Sequence, residues 1–463
     1  MSNWLTVYHR LPYLMKILAV SLHGWRLQTL RYNGKTDTLV AQSQERESWS
    51  IEKWDSWQQE RQSEILWHAA KSVPYYRDQW ETIRRHGDRK SIELLENWPI
   101  LTKEAIRRNP RAFVADGVNL NTQIIEHTSG TTGTSLTFWQ SRDAINQWYA
   151  LFEARWRGWY GLSRHDRWGI LGGQLIMPYG QGKPPFWVWN FAMRQLYLSS
   201  YHITSNHVRA YLQAIQEHQL IYLLGYASSL YSLANLALEQ NIEIPKMKAI
   251  LSNAEPLYQH QREVISQAFQ CQVYDTYGLS ENICAASECL SGSMHLWPEV
   301  GITEILSDEI DEPVQSGETG RVICTGLLNK SMPLIRYDVG DRACFNINNV
   351  TCACGRNMPS LQSIDGRKDD VILTPDGRHI GRLDPVFKTD LLIREAQIIQ
   401  EDINCLRVIY VPASGFNSTH RRLLDERLRA YVGNMDILIQ EVNQIPRSSR
   451  GKFRAVISKL KAS

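Results

Sequence analysis

Cys271-Gln272-Val273-Tyr274-Asp275-Thr276-Tyr277-Gly278-Leu279-Ser280-Glu281 is the stretch from which the rest of the chain can be read. Cys271 to Tyr274 reads as a short strand. After it an aromatic ring, a tight glycine and an acid stand at fixed offsets. That arrangement suits a nucleotide: the ring of Tyr277 can stack on a base, the hydroxyl of Ser280 can reach phosphate, and the carboxylate of Glu281 can hold Mg²⁺. Taken alone, the same residues also describe an ordinary strand-to-loop junction.

Upstream, similar apolar runs recur at Trp168 to Leu171, Leu220 to Leu224 and Lys248 to Leu251. Helical patterns separate them, at Ser205 to Gln219 and Ser229 to Gln240. Such alternation predicts an α/β body with largely parallel strands. Residues 1 to about 100 read as mainly helical, with Ser48 to Ser72 spaced as one helix that Pro74 ends. Downstream, Gly301 to Ile305 and Gly320 to Thr325 read as strands around a Gly317 to Gly320 turn. A smaller α+β unit is expected from Gly366 to residue 463. It has strands at Arg407 to Val411 and Ile437 to Val442, a helix at Thr419 to Val432, and a basic, loop-like segment from Ile445 to Arg454.

A second motif, Thr128-Ser129-Gly130-Thr131-Thr132-Gly133-Thr134-Ser135, precedes all of these strands. Its glycines let backbone approach a ligand, and its hydroxyls and amides can donate to phosphate oxygens. No lysine follows the second glycine, so it is not a G-x-x-x-x-G-K-[ST] loop. By composition alone it is a solvated turn.

The bulk numbers bound these readings. The chain has 463 residues, 43% of them hydrophobic, enough for a large core and a satellite domain. Its 51 basic and 48 acidic residues give a net charge of +3, which offers nucleic acid no electrostatic footprint. Eight cysteines in a long chain without a signal-like leader point to reduced thiols or a metal site in a cytoplasmic protein, rather than disulfides. The most apolar early stretch, Leu11 to Leu22, contains Lys16 and is too short to span a bilayer. It reads as an amphipathic helix packed on the body, with a peripheral membrane helix as the alternative. Many of the 16 tryptophans lie between Trp139 and Trp189, and an aromatic core explains them better than an aromatic-lined pocket.

With both motifs in order, the sequence resembles the adenylate-forming superfamily, most closely the phenylacetate–coenzyme A ligase family and its branch from capsular polysaccharide gene clusters. The resemblance covers roughly residues 60 to 460 and implies a large N-terminal domain of several subdomains, residues 1–365, and a small mobile C-terminal domain, residues 366–463. It implies ATP, Mg²⁺ and coenzyme A as cofactors, a carboxylic acid as substrate, and coenzyme A or another acyl acceptor as partner; a homodimer stays open.

Residue by residue, Thr128 to Gly133 would be the phosphate loop. Asn253-Ala254-Glu255-Pro256 would be the adenine-binding turn. Asp275 would face the adenine amine, Tyr277 would stack on the ring with Gly278 beside it, Ser280 would touch phosphate and Glu281 would hold Mg²⁺. Asp341, in Ile335-Arg336-Tyr337-Asp338-Val339-Gly340-Asp341, would grip the ribose. Arg367 would contact phosphate, Asp369 would be the hinge, and Lys452, in Pro446-Arg447-Ser448-Ser449-Arg450-Gly451-Lys452, would be the mobile catalytic lysine. Gly172 and Tyr226, with Trp168, Gly173, Tyr179 and Gly225, would line the acid pocket.

The resemblance also has departures. Thr134-Ser135 stands where many relatives have lysine or proline, and Thr374 to Gly381 departs from the glycine-rich segment that lines the thiol tunnel in ordinary ligases. The acceptor therefore has two further readings, a carrier-protein thiol or a sugar, and a non-catalytic adenylate-binding scaffold is the alternative to any enzyme.

The knuckle Cys352-Ala353-Cys354-Gly355 and the pair Cys289 and His295 supply three thiolates and an imidazole, a closed structural zinc set that several family members share. Cys284 is the substitute ligand, and four unrelated buried residues are the plain alternative. His202, His207 and His260 read as satisfied or surface histidines, while His127 borders the phosphate loop.

Overall fold

The structure is a computed structural model that describes residues 3–127, 136–178, 180–346, 352–367, 372–375, 379–380, 386, 391–447 and 453–460. Five helices open the chain: α1 (Asn3–Arg10), α2 (Tyr13–Arg31), α3 (Thr36–Arg46), α4 (Ile51–Ser72) and α5 (Pro74–Arg85). The Ser50 hydroxyl caps α4 by accepting from the Lys53 amide, and Pro74 starts α5 where its missing N–H costs no helical bond. One face of α4 buries Ile65 and Leu66 completely, worth roughly 1.5–3 kcal/mol each. A short α6 (Lys103–Arg108) leads to the hairpin β1 (Ile124–His127) and β2 (Thr137–Gln140), then α7 (Arg142–Phe152).

The body that follows is β3 (Trp168–Gly172), β4 (Trp187–Asn190), β5 (Gln195–Ser199), α8 (Val208–Glu217), β6 (Tyr222–Tyr226), α9 (Ala227–Glu239), β7 (Ala249–Asn253), α10 (Gln259–Phe269) and β8 (Gln272–Gly278). Next come β9 (Ala285–Glu288), β10 (Met294–Leu296), β11 (Gly301–Leu306), β12 (Gly320–Gly326), β13 (Tyr337–Phe345) and β14 (Ser360–Arg367). These twelve strands form one sheet in the order β11-β12-β13-β14-β10-β9-β8-β7-β6-β3-β5-β4. The run β5-β3-β6-β7-β8 is parallel, and everything beyond β8 is antiparallel. The fold class read from the sequence is therefore the one observed. Strand β6 runs two residues further than its apolar run, because Gly225 and Tyr226 continue the ladder beside Ser252 and Asn253. The antiparallel edge β4–β5 was not legible, since tryptophan-rich runs carry no period of their own.

The tail holds β15 (Ile372–Leu373), β16 (His379–Ile380), β17 (Ile393–Asp402), β18 (Cys405–Pro412), α11 (Ser418–Val432), β19 (Asp436–Glu441) and β20 (Val456–Ser458). Its four-stranded sheet, β19-β18-β17-β20, packs on α11 around Leu406, Val408, Leu424 and Leu428, a core separate from that of the body.

The tryptophans do make a core: Trp148, Trp156, Trp159, Trp168 and Trp297 are all buried in one cluster. Buried Arg155 reaches Glu299 through two nitrogens at 2.8 and 2.7 Å, and Arg46 of α3 reaches the same carboxylate at 3.0 Å. Burial alone would raise the Glu299 carboxyl, but the two guanidiniums hold it below its usual range. The Arg46 contact fastens α3 to the segment between β10 and β11.

Candidate active site

The residues singled out in the sequence gather at the carboxyl ends of the parallel strands, where open α/β sheets bind ligands. Gly172 ends β3, Tyr226 ends β6, Asn253 ends β7, and β8 carries Asp275 to Gly278. At Gly225 a Cβ would lie 2.7 Å from the Leu171 carbonyl, so the floor of this cleft requires a glycine there. At Gly172 the nearest atoms a Cβ would meet belong to the far end of the Gln174 side chain.

Strand β8 is the seam of the sheet. Its first half pairs in parallel with β7, bringing Asp275 opposite Ser252; its second half pairs antiparallel with β9, from Thr276 onward. The Ser252 hydroxyl donates to Asp275 Oδ1, which also accepts the Thr276 amide at 2.9 Å. Burial raises the Asp275 carboxyl to about 7, with the Ser252 bond opposing and the Glu288 charge adding to the rise. Glu288 accepts the Asp275 amide at 2.8 Å and pairs with Arg262 at 2.9 Å, which fixes the strand from behind.

Two steps on, the Tyr277 hydroxyl donates to Asp341 Oδ2 at 2.7 Å. Burial, then the Asp341 charge, pushes this phenol well above its ordinary range. Asp341 lies on β13 directly across the ladder from Arg367 on β14, so the expected ribose and phosphate residues are cross-strand neighbours. Glu281 is buried and accepts the Tyr337 hydroxyl at 3.0 Å. The Gln140 amide donates to the Ser280 carbonyl at 3.2 Å, and its oxygen accepts from Asn282 at 2.8 Å. Gln140 ends β2, so the Ser280–Glu281 loop is tied to the hairpin that carries the phosphate-loop motif. That motif, Thr128 to Ser135, lies outside the described residues, but its flanks pair as His127 with Thr137.

The turn after β7 uses a left-handed Ala254 (φ 63°). Glu255 turns its carboxylate away from the turn, accepting the Ser228 amide at 3.0 Å and the Phe453 amide at 2.7 Å. Burial raises this carboxyl, and the amide bonds oppose the rise. The turn therefore offers a ligand its backbone rather than this side chain. Lys452 and Asp369 lie outside the described residues, as do Tyr179 and the side chains of His127 and Arg367. Phe453, the residue after Lys452, is placed beside the turn after β7 by the Glu255 bond. Between α9 and the tail, a crevice of ≈ 700 Å³ is lined by Tyr201, Ser232, Asn235, Arg394, Glu395 and Arg447 among others. Ser252 and Glu288 carry no sequence signal of their own, because only the sheet brings them to β8, and Gln140 meets Ser280 and Asn282 from the separate β1–β2 hairpin; Tyr337 stands within Ile335 to Asp341 without an expected role.

The thiol and imidazole set is brought together. Donor atoms of Cys289, His295, Cys352 and Cys354 all lie within 4.8 Å of one another. The Cys289 and Cys352 sulfurs are 3.8 Å apart, which matches the roughly 3.8 Å between sulfurs of a tetrahedral site with Zn–S near 2.3 Å. His295 Nδ1 donates to the Met358 carbonyl at 3.0 Å, which leaves Nε2 3.4 Å from Cys354 Sγ. Burial would raise the Cys352 thiol, but the Cys354 amide, Ser293, His295 and Cys354 together lower it to about 6. These features fit a structural divalent cation. Cys284 is not part of the set; its sulfur sits 3.5 Å from the Thr303 hydroxyl. Arg356, just past the knuckle, pairs with Glu47 at 2.8 Å and lies over Trp159. His202 is buried between Ser199 and the Pro178 carbonyl, a satisfied histidine.

A protein-family model described as the CapK C-terminal domain matches residues 372–459. Over 463 residues the chain is 24% identical to Protein CapK of Staphylococcus aureus, covering 98% of this chain and 99% of that protein. It is also 24% identical over 336 residues to phenylacetate-coenzyme A ligase of Escherichia coli (strain K12), covering 71% of this chain and 74% of the relative. Among solved structures it matches 2-hydroxyisobutyryl-CoA ligase in the postadenylation state in complex with 2-HIB-AMP, at a TM-score of 0.69 and 21% identity over 89% of this chain and 91% of the other. The anthranilate CoA ligase AuaEII in complex with anthranoyl-AMP matches at a TM-score of 0.51 and 16% identity over 73% of this chain and 67% of the other.

Proposed function

We propose that this chain, an adenylate-forming-superfamily protein with CapK and phenylacetate–coenzyme A ligases among its relatives, activates a carboxylic acid with ATP and passes the acyl group to an acceptor. The observation that supports the reading is the convergence of Asp275, Tyr277, Glu281, Asp341 and the Arg367 position around the carboxyl end of β8 and the facing strands β13 and β14. The division at residue 366 into a nucleotide-binding body and a small domain belongs to the same proposal.

In the first half-reaction a carboxylate oxygen attacks the α-phosphorus of ATP, and pyrophosphate leaves with the bond's electrons. Tyr277 would stack on adenine beside Asp275, and Asp341 would hold the ribose in place of the Tyr277 hydroxyl it now accepts. Arg367, the 128–133 loop and Lys452 would offset the charge that builds on phosphate. Glu281, an acid poised on the Tyr337 hydroxyl, would hold Mg²⁺, whose part is charge neutralisation. In the second half-reaction a thiolate attacks the acyl carbon and AMP leaves. Coenzyme A is the proposed acceptor. The ≈ 700 Å³ crevice, rich in hydroxyl and amide groups, supports a sugar or carrier-protein acceptor as the second reading. Zinc in the thiol and imidazole set would be structural, since four protein donors leave no open position.

Pyrophosphate release from ATP and Mg²⁺ across aryl, acyl and sugar-derived acids tests the first half-reaction. Acid-dependent release that collapses in Lys452→Ala is the expected result; absence of ATP binding would overturn it. AMP release with coenzyme A against alternative acceptors then separates the two acceptor readings.

A further inference from the structure

Helix α2 is apolar on two opposite faces. Tyr13, Ile17 and Val20 pack inward against Ile176, Met177 and Val188, and Gly24 lets the helix touch the Asn190 side chain. Opposite them Leu14, Met15, Leu18, Leu22 and Trp25 face solvent at 73, 49, 60, 70 and 60% exposure. At about 100° per residue these five fall within an arc of roughly 100°, so they form one stripe along a helix about 28 Å long. Phe191, 68% exposed, extends it: its amide donates to Ser21 Oγ at 3.1 Å, which sets the β4–β5 turn against α2. Elsewhere the exposed large apolar residues, such as Trp67, Leu290 and Leu438, stand singly on separate elements. A contiguous stripe of this kind marks a surface that is covered in use.

The charge around it indicates by what. Residues 1–36 contain Arg10, Lys16, Arg26, Arg31 and Lys35 and no acidic residue, so the remainder of the chain is net negative. Arg26 is exposed beside the stripe, Arg10 is exposed at the end of α1 just before α2, and the exposed Arg194 closes the β4–β5 turn that holds Phe191. Lys16 is instead buried and donates to Met177. The first acid, Asp37, is engaged by Arg164. A helix with leucines and a tryptophan on its outer face, flanked by arginines and free of acids, has the make-up of one that lies in a bilayer interface. Among the described residues no helix is long and apolar enough to cross a membrane, so the association is peripheral. We propose that the outer face of α2, with Phe191, docks this protein on an anionic phospholipid bilayer.

Co-sedimentation of the full chain with vesicles tests this. Wild type should bind vesicles of phosphatidylglycerol mixed with phosphatidylcholine and be released by added salt, and it should bind pure phosphatidylcholine weakly. Leu18→Glu combined with Leu22→Glu should weaken binding at least about tenfold while leaving the thermal unfolding midpoint unchanged. Arg10→Gln with Arg26→Gln should weaken it several-fold on the anionic vesicles alone. Trp25→Ala, a gentler change, should lower binding by a few-fold and serves if the double glutamate variant misfolds. Wild type that ignores anionic vesicles, or folded variants that bind as wild type does, would overturn the proposal. Concentration-dependent dimers that Leu18→Glu abolishes, without vesicle binding, would overturn it too, since the stripe would then cover a second copy of the chain.

Discussion

The cleft at the β8 seam and the cysteine–histidine cluster near it organise their polar groups in opposite ways. In the cleft, the groups proposed to meet a nucleotide hold one another: Tyr277 donates to Asp341, Tyr337 to Glu281, Ser252 to Asp275. Each acid is thereby paired on burial, and on the proposed function each bond is a placeholder that a nucleotide would exchange for its own. In the cluster, four donors converge on one point, with His295 oriented by a carbonyl and the knuckle braced by Arg356 and Glu47. On the proposed function, a site for a transient ligand would keep interchangeable partners, whereas a site for a resident ion would commit its geometry.

The largest expected effect tests the cleft side. Lys452→Ala should lower the adenylation rate about 10³-fold and Glu281→Gln about 10²-fold, with folding intact, as read by pyrophosphate release and circular dichroism. Loss of activity through unfolding alone would remove the distinction. Next comes the cluster. Cys352→Ser or Cys354→Ser should abolish bound zinc in elemental analysis and cost on the order of 2–3 kcal/mol of stability in urea unfolding. ATP binding should persist where the fold persists.

A smaller effect sharpens the contrast through pH. Burial raises Asp275 from 3.8 to about 7, so between those values the folded state binds more protons than the unfolded one. The contribution of Asp275 is therefore most favourable below about pH 4 and is lost as pH rises through 7. Asp275→Asn should flatten that part of the stability profile, gaining on wild type as pH rises. An unchanged difference across pH 4–8 would show that Asp275 does not titrate there. The smallest effect is Arg356→Ala, expected to cost about 1 kcal/mol through a partly exposed ion pair and a cation–π contact, measured as a shift in urea midpoint.

What the sequence revealed follows the same division. Of the parallel strands, β3, β6, β7 and β8 were legible as short apolar runs, the last three beside helical patterns, as with Ala249–Asn253 before α10, whereas β5 was not. The cysteine–histidine set was legible because its ligand types are few, although only the β9–β10 and β10–β14 pairings bring His295 to the knuckle. The holding partners were not. Ser252, Gln140 and Glu288 are common residue types; Ser252 and Glu288 matter through their place beside Asp275, and Gln140 through its reach to the Ser280–Asn282 loop. Nor did the early apolar stretch disclose that its packed face and its exposed face are both apolar, because a helix with two such faces has no polar side to mark its period.

Strand β14 begins two residues after Met358, whose carbonyl orients His295, and it ends at Arg367 opposite Asp341. Both ends are pinned by different chemistry, and deleting a single residue from a strand turns every later side chain to the wrong face. As the gene drifts, this stretch should therefore accept changes of letter far more readily than changes of length. A library of single-residue insertions and deletions across 355–367 should return almost no working clones, while substitutions at its outward positions return many.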